Sequence, residues 1–112
     1  RLEVPVIELH TGTYSELRAD NKKNELKRIR RAVDYANELG IECHAGHGLN
    51  YQNVGPIASI KKIAELNIGH FLIGEAVFTG LTNAIDKMRR IMAEARKVEV
   101  SNSDTPYNKR AL

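Results

Sequence analysis

The sequence predicts an α/β domain of three consecutive βα units carried on a parallel sheet. Short strand-like runs alternate with amphipathic helical runs in the order β-α-β-α-β-α, which implies right-handed crossovers between parallel strands. A glycine stands where each strand gives way to the next segment, as in Thr11-Gly12-Thr13 and Gly46-His47-Gly48, and such turns are where α/β proteins place chemistry. Hydrophobic residues make up 42% of the chain, aromatics only 5%, and tryptophan is missing, so packing is aliphatic and the composition argues against a disordered chain.

The bulk numbers narrow the rest. With 112 residues the chain is about half of a typical α/β barrel, and three strands leave two open edges. It opens at Arg1 without methionine and runs straight into a strand. We therefore expect a piece of something longer. The formal charge of +3 is too small to imply nucleic acid by itself. A single cysteine, Cys43, forms no internal disulfide and fits a reducing compartment. Without an apolar run of about 18 residues, or a signal-peptide layout over residues 1–9, the expected protein is soluble and cytoplasmic, with no membrane partner.

The first strand is Val4-Pro5-Val6-Ile7-Glu8-Leu9-His10. Two-residue alternation puts Val6, Glu8 and His10 on one face and Ile7 and Leu9 on the other. A carboxylate and an imidazole at a strand's carboxyl end form an active-site layout, the alternative being a strand end that faces solvent. A polar loop is expected over residues 15–23, then a helix over 24–39 with Leu26, Ile29, Val33 and Ala36 at helical spacing and Gly40 as its stop. Lys22, Lys23, Lys27, Arg28, Arg30 and Arg31 cluster with only Glu25 nearby. No aromatic is interleaved for base stacking, so this is a solvated face or a subunit contact rather than a nucleic-acid surface.

Ile41-Glu42-Cys43-His44 is the second strand, and it delivers the Gly46-His47-Gly48 turn. Pro56 at the first helical position opens a helix with Ile57, Ile60 and Ile63 on one side. The register of residues 67–78 is ambiguous: either a short strand ends at Gly69 and a helix begins at His70, or the strand runs over 70–73 and turns at Gly74. Either way a glycine precedes a helix N-terminus, a place suited to phosphate. The last helix spans about 81–97 with Leu81, Ile85, Met88, Ile91, Met92 and Ala95 buried; the methionines are core filler rather than a cofactor box. Residues 1–100 read as one domain segment and 101–112 as a polar C-terminal tail.

Three motifs together resemble one family. They are Ile7-Glu8-Leu9-His10-Thr11-Gly12, then Ala45-Gly46-His47-Gly48-Leu49-Asn50-Tyr51 with Asn53-Val54, then Glu65-Leu66-Asn67-Ile68-Gly69-His70. With Ala76-Val77-Phe78-Thr79-Gly80-Leu81 and the final helix, they are similar in order and spacing to pyridoxine 5′-phosphate synthase over roughly residues 4–97. The resemblance implies the C-terminal part of a (β/α)8 TIM barrel, its last three βα units. It implies a transferase that condenses 1-deoxy-D-xylulose 5-phosphate with 3-amino-2-oxopropyl phosphate in vitamin B6 synthesis, releasing inorganic phosphate and water. No organic cofactor or metal is implied, and the assembly implied is a homo-oligomer, an octamer.

By the same resemblance, His47 matches a proton-donating histidine and Gly48 a substrate-binding backbone position. Gly69 and His70 match the pair that binds the amino-ketone phosphate, and Glu8 matches a transition-state-stabilising carboxylate. That pair favours the register in which the helix begins near His70. The chemistry suits these types: imidazole delivers protons near neutral pH, backbone N–H groups at glycine hold phosphate, and a carboxylate stabilises developing iminium charge. The family's other catalytic histidine and glutamate belong to its N-terminal half, so the 112-residue chain alone is expected to be inactive. His44 stands where asparagine is expected and Glu75 where arginine is expected.

Other readings stay open from the residues alone. His44 is a core or lining residue, or a functional one; Glu42 pairs with a helix lysine or faces a neighbouring strand. His44 and His47 have H-x-x-H spacing, but on a strand and turn with no repeated ligand set, so no metal site is expected. A non-catalytic phosphate-binding module would keep Gly48 and Gly69 and have no use for Glu8 or His47.

Overall fold

The computed structural model describes residues 3–101. Its elements run β1 (Val6–His10), α1 (Gly12–Glu16), α2 (Ala19–Glu38), β2 (Glu42–Gly46), α3 (Val54–Ala58), β3 (Ile63–Asn67), α4 (His70–Thr79) and α5 (Leu81–Ser101). The strands form one parallel sheet in the order β1-β2-β3, as the alternation predicts.

The sheet has two different faces. Ile7 and Leu9, Cys43 and Ala45, and Ile63 and Leu66 lie in matching register and pack with the helices. Ile63 and Leu66 are three apart, so simple alternation would send them to opposite sides. A bulge resolves this: Cys43 pairs with Ile63 and His44 with Glu65, which leaves Ala64 as the extra residue. The other face carries Val6, Glu8 and His10, then His44 and Gly46, then Glu65 and Asn67, in register across the strands. It is polar and uncovered by any described element. Parallel sheets are normally covered on both faces, so this face is built to meet something else.

The core sits between the sheet and α2, α3 and α5. Ile29, Val33 and Ala36 of α2 are buried, Ile57 and Val54 come from α3, and Ala84 and Met88 from α5. Gly40 ends α2 as expected, in a left-handed conformation (φ 71°), with Ile41 N–H on Ala36 O at 2.9 Å closing the last turn.

Several expectations need correction. Instead of a loop over 15–23, Gly12–Glu16 forms a single helical turn that buries Tyr14, and α2 begins at Ala19. One turn is too short for periodicity to reveal, and the polar residues that suggested a loop occupy α2's outer side. The basic cluster has more acid beside it than Glu25 alone: Lys23 pairs with Asp20 at 3.8 Å, Arg28 with Glu25 at 2.6 Å, and Lys22 sits 4.9 Å from the Tyr14 ring centre. The second strand is Glu42–Gly46 rather than 41–44.

Pro56 is the third residue of α3 rather than the first, and Ile57, Ile60 and Ile63 do not share a helix. Ile57 is in α3, Ile60 in the following turn, and Ile63 opens β3. The turn is held from outside, since Arg96 of α5 donates to Ala58 O (2.9 Å) and Lys61 O (3.1 Å). In the segment that sequence left open, β3 ends at Asn67 and α4 starts at His70, so the register with a helix at His70 is the one adopted. On α5, Met88 is buried and Ile91, Met92 and Ala95 lean on the core, but Leu81 and Ile85 are exposed. The helix reaches Ser101; the rest of the expected tail lies outside the described residues.

Candidate active site

Four of the five expected site residues follow the carboxyl ends of strands, and the fifth, Glu8, is the middle residue of β1. Glu8 is on β1, His47 and Gly48 follow β2, and Gly69 and His70 follow β3.

The turn after β2 is tied to the segment after β1. Thr11 is fully buried; its N–H donates to Gly46 O at 2.8 Å, and its hydroxyl lies 2.8 Å from Gly46 O and 2.7 Å from His47 O. The Ser15 hydroxyl adds a longer contact to His47 O, 3.3 Å. These bonds hold His47 at φ 88°, a region that costs a residue with a Cβ about 1–2 kcal/mol. Gly48 follows at φ 73°, and a Cβ there would lie 2.7 Å from Ser15 Cβ, so only glycine fits.

Beyond Gly48 a pair of asparagines sets the loop. Asn50 Oδ1 accepts from Gln52 N–H (2.9 Å) and Asn53 N–H (3.0 Å), while Asn53 Oδ1 accepts from Asn50 N–H (2.8 Å). Asn53 Nδ2 donates to Gly48 O at 3.0 Å. The buried Tyr14 hydroxyl donates to Asn53 O at 2.8 Å, and burial pushes that phenol's pKa up. Tyr51 secures the loop to α5 through Ala84 O at 3.1 Å and meets Phe71 of α4 edge-on. Its hydroxyl pKa is raised by desolvation, then by the Glu75 carboxylate, so Glu75 acts on this ring.

The Glu8 carboxylate is positioned across β2. Asn67 Nδ2 donates to Glu8 Oε2 at 2.6 Å, although β2 lies between their strands. The bond is possible because Gly46 has no side chain: a Cβ there would lie 2.8 Å from Asn67 O and 3.0 Å from Glu8 Oε1. Asn67 was not singled out from sequence; its place as the last residue of β3, two before Gly69, was the available signal. Thr11 and Ser15 were missed too, and only Thr11's position just past a strand end hinted at it.

His10 stacks on His47, with ring centres 4.3 Å apart and planes at 25°. His44 faces the same side as Glu8, with Nε2 2.7 Å from Glu42 Oε1 and Nδ1 3.7 Å from Glu65 Oε1. Glu42 therefore pairs on its own strand, and not with a helix lysine. No group of three or more potential metal ligands occurs among the described residues.

At the third strand, Gly69 caps α4 without a side-chain bond. The first helical bond is Ile73 N–H to Gly69 O, 3.0 Å, which leaves the N–H groups of residues 70–72 without helical acceptors. Such an end favours an anion. No hydrogen bond joins Glu8, His47 and His70 to one another among the described residues. Glu8 is bonded to Asn67, and His47 is stacked on His10. No described helix is long and apolar enough to cross a membrane.

The family described as "Pyridoxal phosphate biosynthesis protein PdxJ" matches residues 1–94. The chain is 57% identical over 95 residues to pyridoxine 5′-phosphate synthase of Zymomonas mobilis, covering 85% of this chain and 37% of that protein. It is 51% identical over 100 residues to the Ruegeria pomeroyi synthase (86% and 40%) and 54% over 91 residues to that of a Sulfurihydrogenibium species (81% and 37%). The chain thus spans about two fifths of the length of the curated relatives it matches. A family match over residues 1–94, most of the chain, makes this chain a member of the PdxJ family of pyridoxal phosphate biosynthesis proteins.

Proposed function

We propose that the chain carries part of the active site of a pyridoxine 5′-phosphate synthase, condensing 1-deoxy-D-xylulose 5-phosphate with 3-amino-2-oxopropyl phosphate and releasing inorganic phosphate and water. The observation that supports it is that His47-Gly48 and Gly69-His70 follow the carboxyl ends of two adjacent parallel strands, the end at which barrel enzymes keep their chemistry, with Glu8 on the polar face of the neighbouring strand. Membership of the family and the names of its relatives support a role in pyridoxine 5′-phosphate synthesis. The polar sheet face is then the inside of a barrel, and the residues that close it, with the remaining catalytic groups, come from outside this chain. The 112-residue chain alone is accordingly inactive. The assembled protein is a cytoplasmic homo-oligomer, an octamer.

Each residue has a task its surroundings suit. Carbonyl condensation with an amine passes through a carbinolamine, whose loss of water requires a proton. His47, on a turn held by Thr11, supplies it to the leaving oxygen. The iminium formed is cationic, and Glu8, held by Asn67, offsets that charge. The backbone N–H of Gly48 contacts substrate, and the open N-terminus of α4, with Gly69 and His70, takes the amino-ketone phosphate. No metal or organic cofactor takes part.

The test is His47→Asn in the full-length protein, with pyridoxine 5′-phosphate formation and inorganic phosphate binding measured together. Turnover should fall by about two orders of magnitude or more while phosphate binding is kept. Unchanged turnover would remove His47 from the chemistry. A wild-type protein that binds phosphate and forms no product would be a non-catalytic phosphate-binding module.

A further inference from the structure

The proton donor proposed above needs a fixed direction, and the backbone of its turn does not supply one. Thr11 and Ser15 hold the carbonyl of His47, but no hydrogen bond reaches its imidazole among the described residues. What touches the ring is His10, stacked at 4.3 Å and 25°. His10 is itself aimed: Gly12 N–H donates to its Nδ1 at 3.2 Å. Nδ1 is therefore the acceptor, and in the neutral ring the proton sits on Nε2. Gly12 also closes over the pair. A Cβ on it would lie 2.5 Å from His10 Cε1 and 3.0 Å from His47 Cδ2, so a glycine at this point leaves room for the edges of both rings beside the first turn of α1.

We propose that His10 is a positioning residue for the His47 imidazole: its ring face, stacked on His47, sets the direction in which His47 delivers a proton. The role rests on the assignment of His47 as proton donor. His10 itself need not touch substrate. A ring free to turn about its side-chain bonds would spend most of its time misaligned, and misalignment lowers the rate of proton transfer more than it lowers affinity.

Two substitutions separate the ring face from the hydrogen bond. His10→Phe keeps an aromatic face and loses the acceptor; His10→Asn keeps a short acceptor for Gly12 N–H and loses the face. In the full-length protein, the ring protons of His47 are assigned by their disappearance in His47→Asn. They should show a ring-current shift in the wild type, retain it in His10→Phe, and lose it in His10→Asn. In steady-state kinetics, His10→Phe should keep kcat within about threefold, while His10→Asn lowers kcat by about tenfold or more with KM for both substrates nearly unchanged. Retention of wild-type kcat by His10→Asn would overturn the positioning role, as would equal losses in both variants while the His47 shift persists in His10→Phe. If His47→Asn itself keeps turnover, the proton-donor assignment fails and the positioning role falls with it, while the ring-current data still decide whether the stack exists.

Discussion

The turn after β2 and the helix after β3 present their site residues in opposite ways. Around His47 the chain is self-sufficient. Thr11, Tyr14 and Asn53 are buried, and hydrogen bonds between residues 35 to 39 apart in sequence stitch the first turn to the second. Around His70 the chain is bare. No residue of α4 is buried, and Ile73, Val77 and Phe78 are 63%, 79% and 87% exposed. Large apolar side chains this exposed on one helix mark a surface that expects cover. The difference teaches that the half of the site around His47, the proposed proton donor, is set by this chain's own folding. The half around Gly69-His70, proposed to bind phosphate, leaves apolar surface open for contacts from outside it.

Substitutions can break or sharpen that contrast. The largest effect is expected from Gly48→Ala, which combines a left-handed backbone with a 2.7 Å contact to Ser15. Denaturant unfolding should show a loss of about 2–3 kcal/mol. Thr11→Val keeps the shape and removes the hydroxyl that serves Gly46 O and His47 O. A loss of about 1–2 kcal/mol follows from the lost hydroxyl bonds, since Gly46 O keeps the Thr11 N–H and His47 O keeps the Ser15 hydroxyl, and a smaller loss would mean that the two turns are not coupled as described.

Tyr14→Phe deletes one buried hydrogen bond, to Asn53 O, and should cost about 1 kcal/mol near neutral pH. It also carries a pH signature. Burial raises the Tyr14 pKa above its ordinary 10.0, so the phenol contributes stability that is fully present below about pH 10 and lost as pH rises through the higher folded value. Tyr14→Phe should flatten that alkaline decline, and an unchanged profile would point to another group. The smallest effect belongs to α4. Phe78→Ser should change the stability of the 112-residue chain by less than about 0.5 kcal/mol, although the ring is large. A loss comparable to that of Thr11→Val would show that α4 is already packed.

What sequence revealed divides along the same line. The three βα units, the polar face with Glu8 and His10, and the start of α4 at His70 were legible because each rests on local pattern or on a motif. The Glu8–Asn67 bond was not, since it joins residues 59 apart and depends on a glycine in the strand between them. The bulge at Ala64 escaped for a related reason: alternation assumes an unbroken period, and a single added residue reverses it. The helical turn around Tyr14 was hidden by its length. The isoleucines at 57, 60 and 63 imitated a helix face because a tight turn, held by Arg96 from 33 to 38 residues away, happens to bury all three.

Amide hydrogen exchange on the 112-residue chain, read residue by residue, tests the contrast most directly. The amides of Thr11 and Asn53, which serve buried hydrogen bonds between and within the first two turns, should be protected about a hundredfold or more over those of residues 75–79 in α4. Equal protection at the two ends would contradict the account, because α4 would then be completed by this chain without any contact from outside.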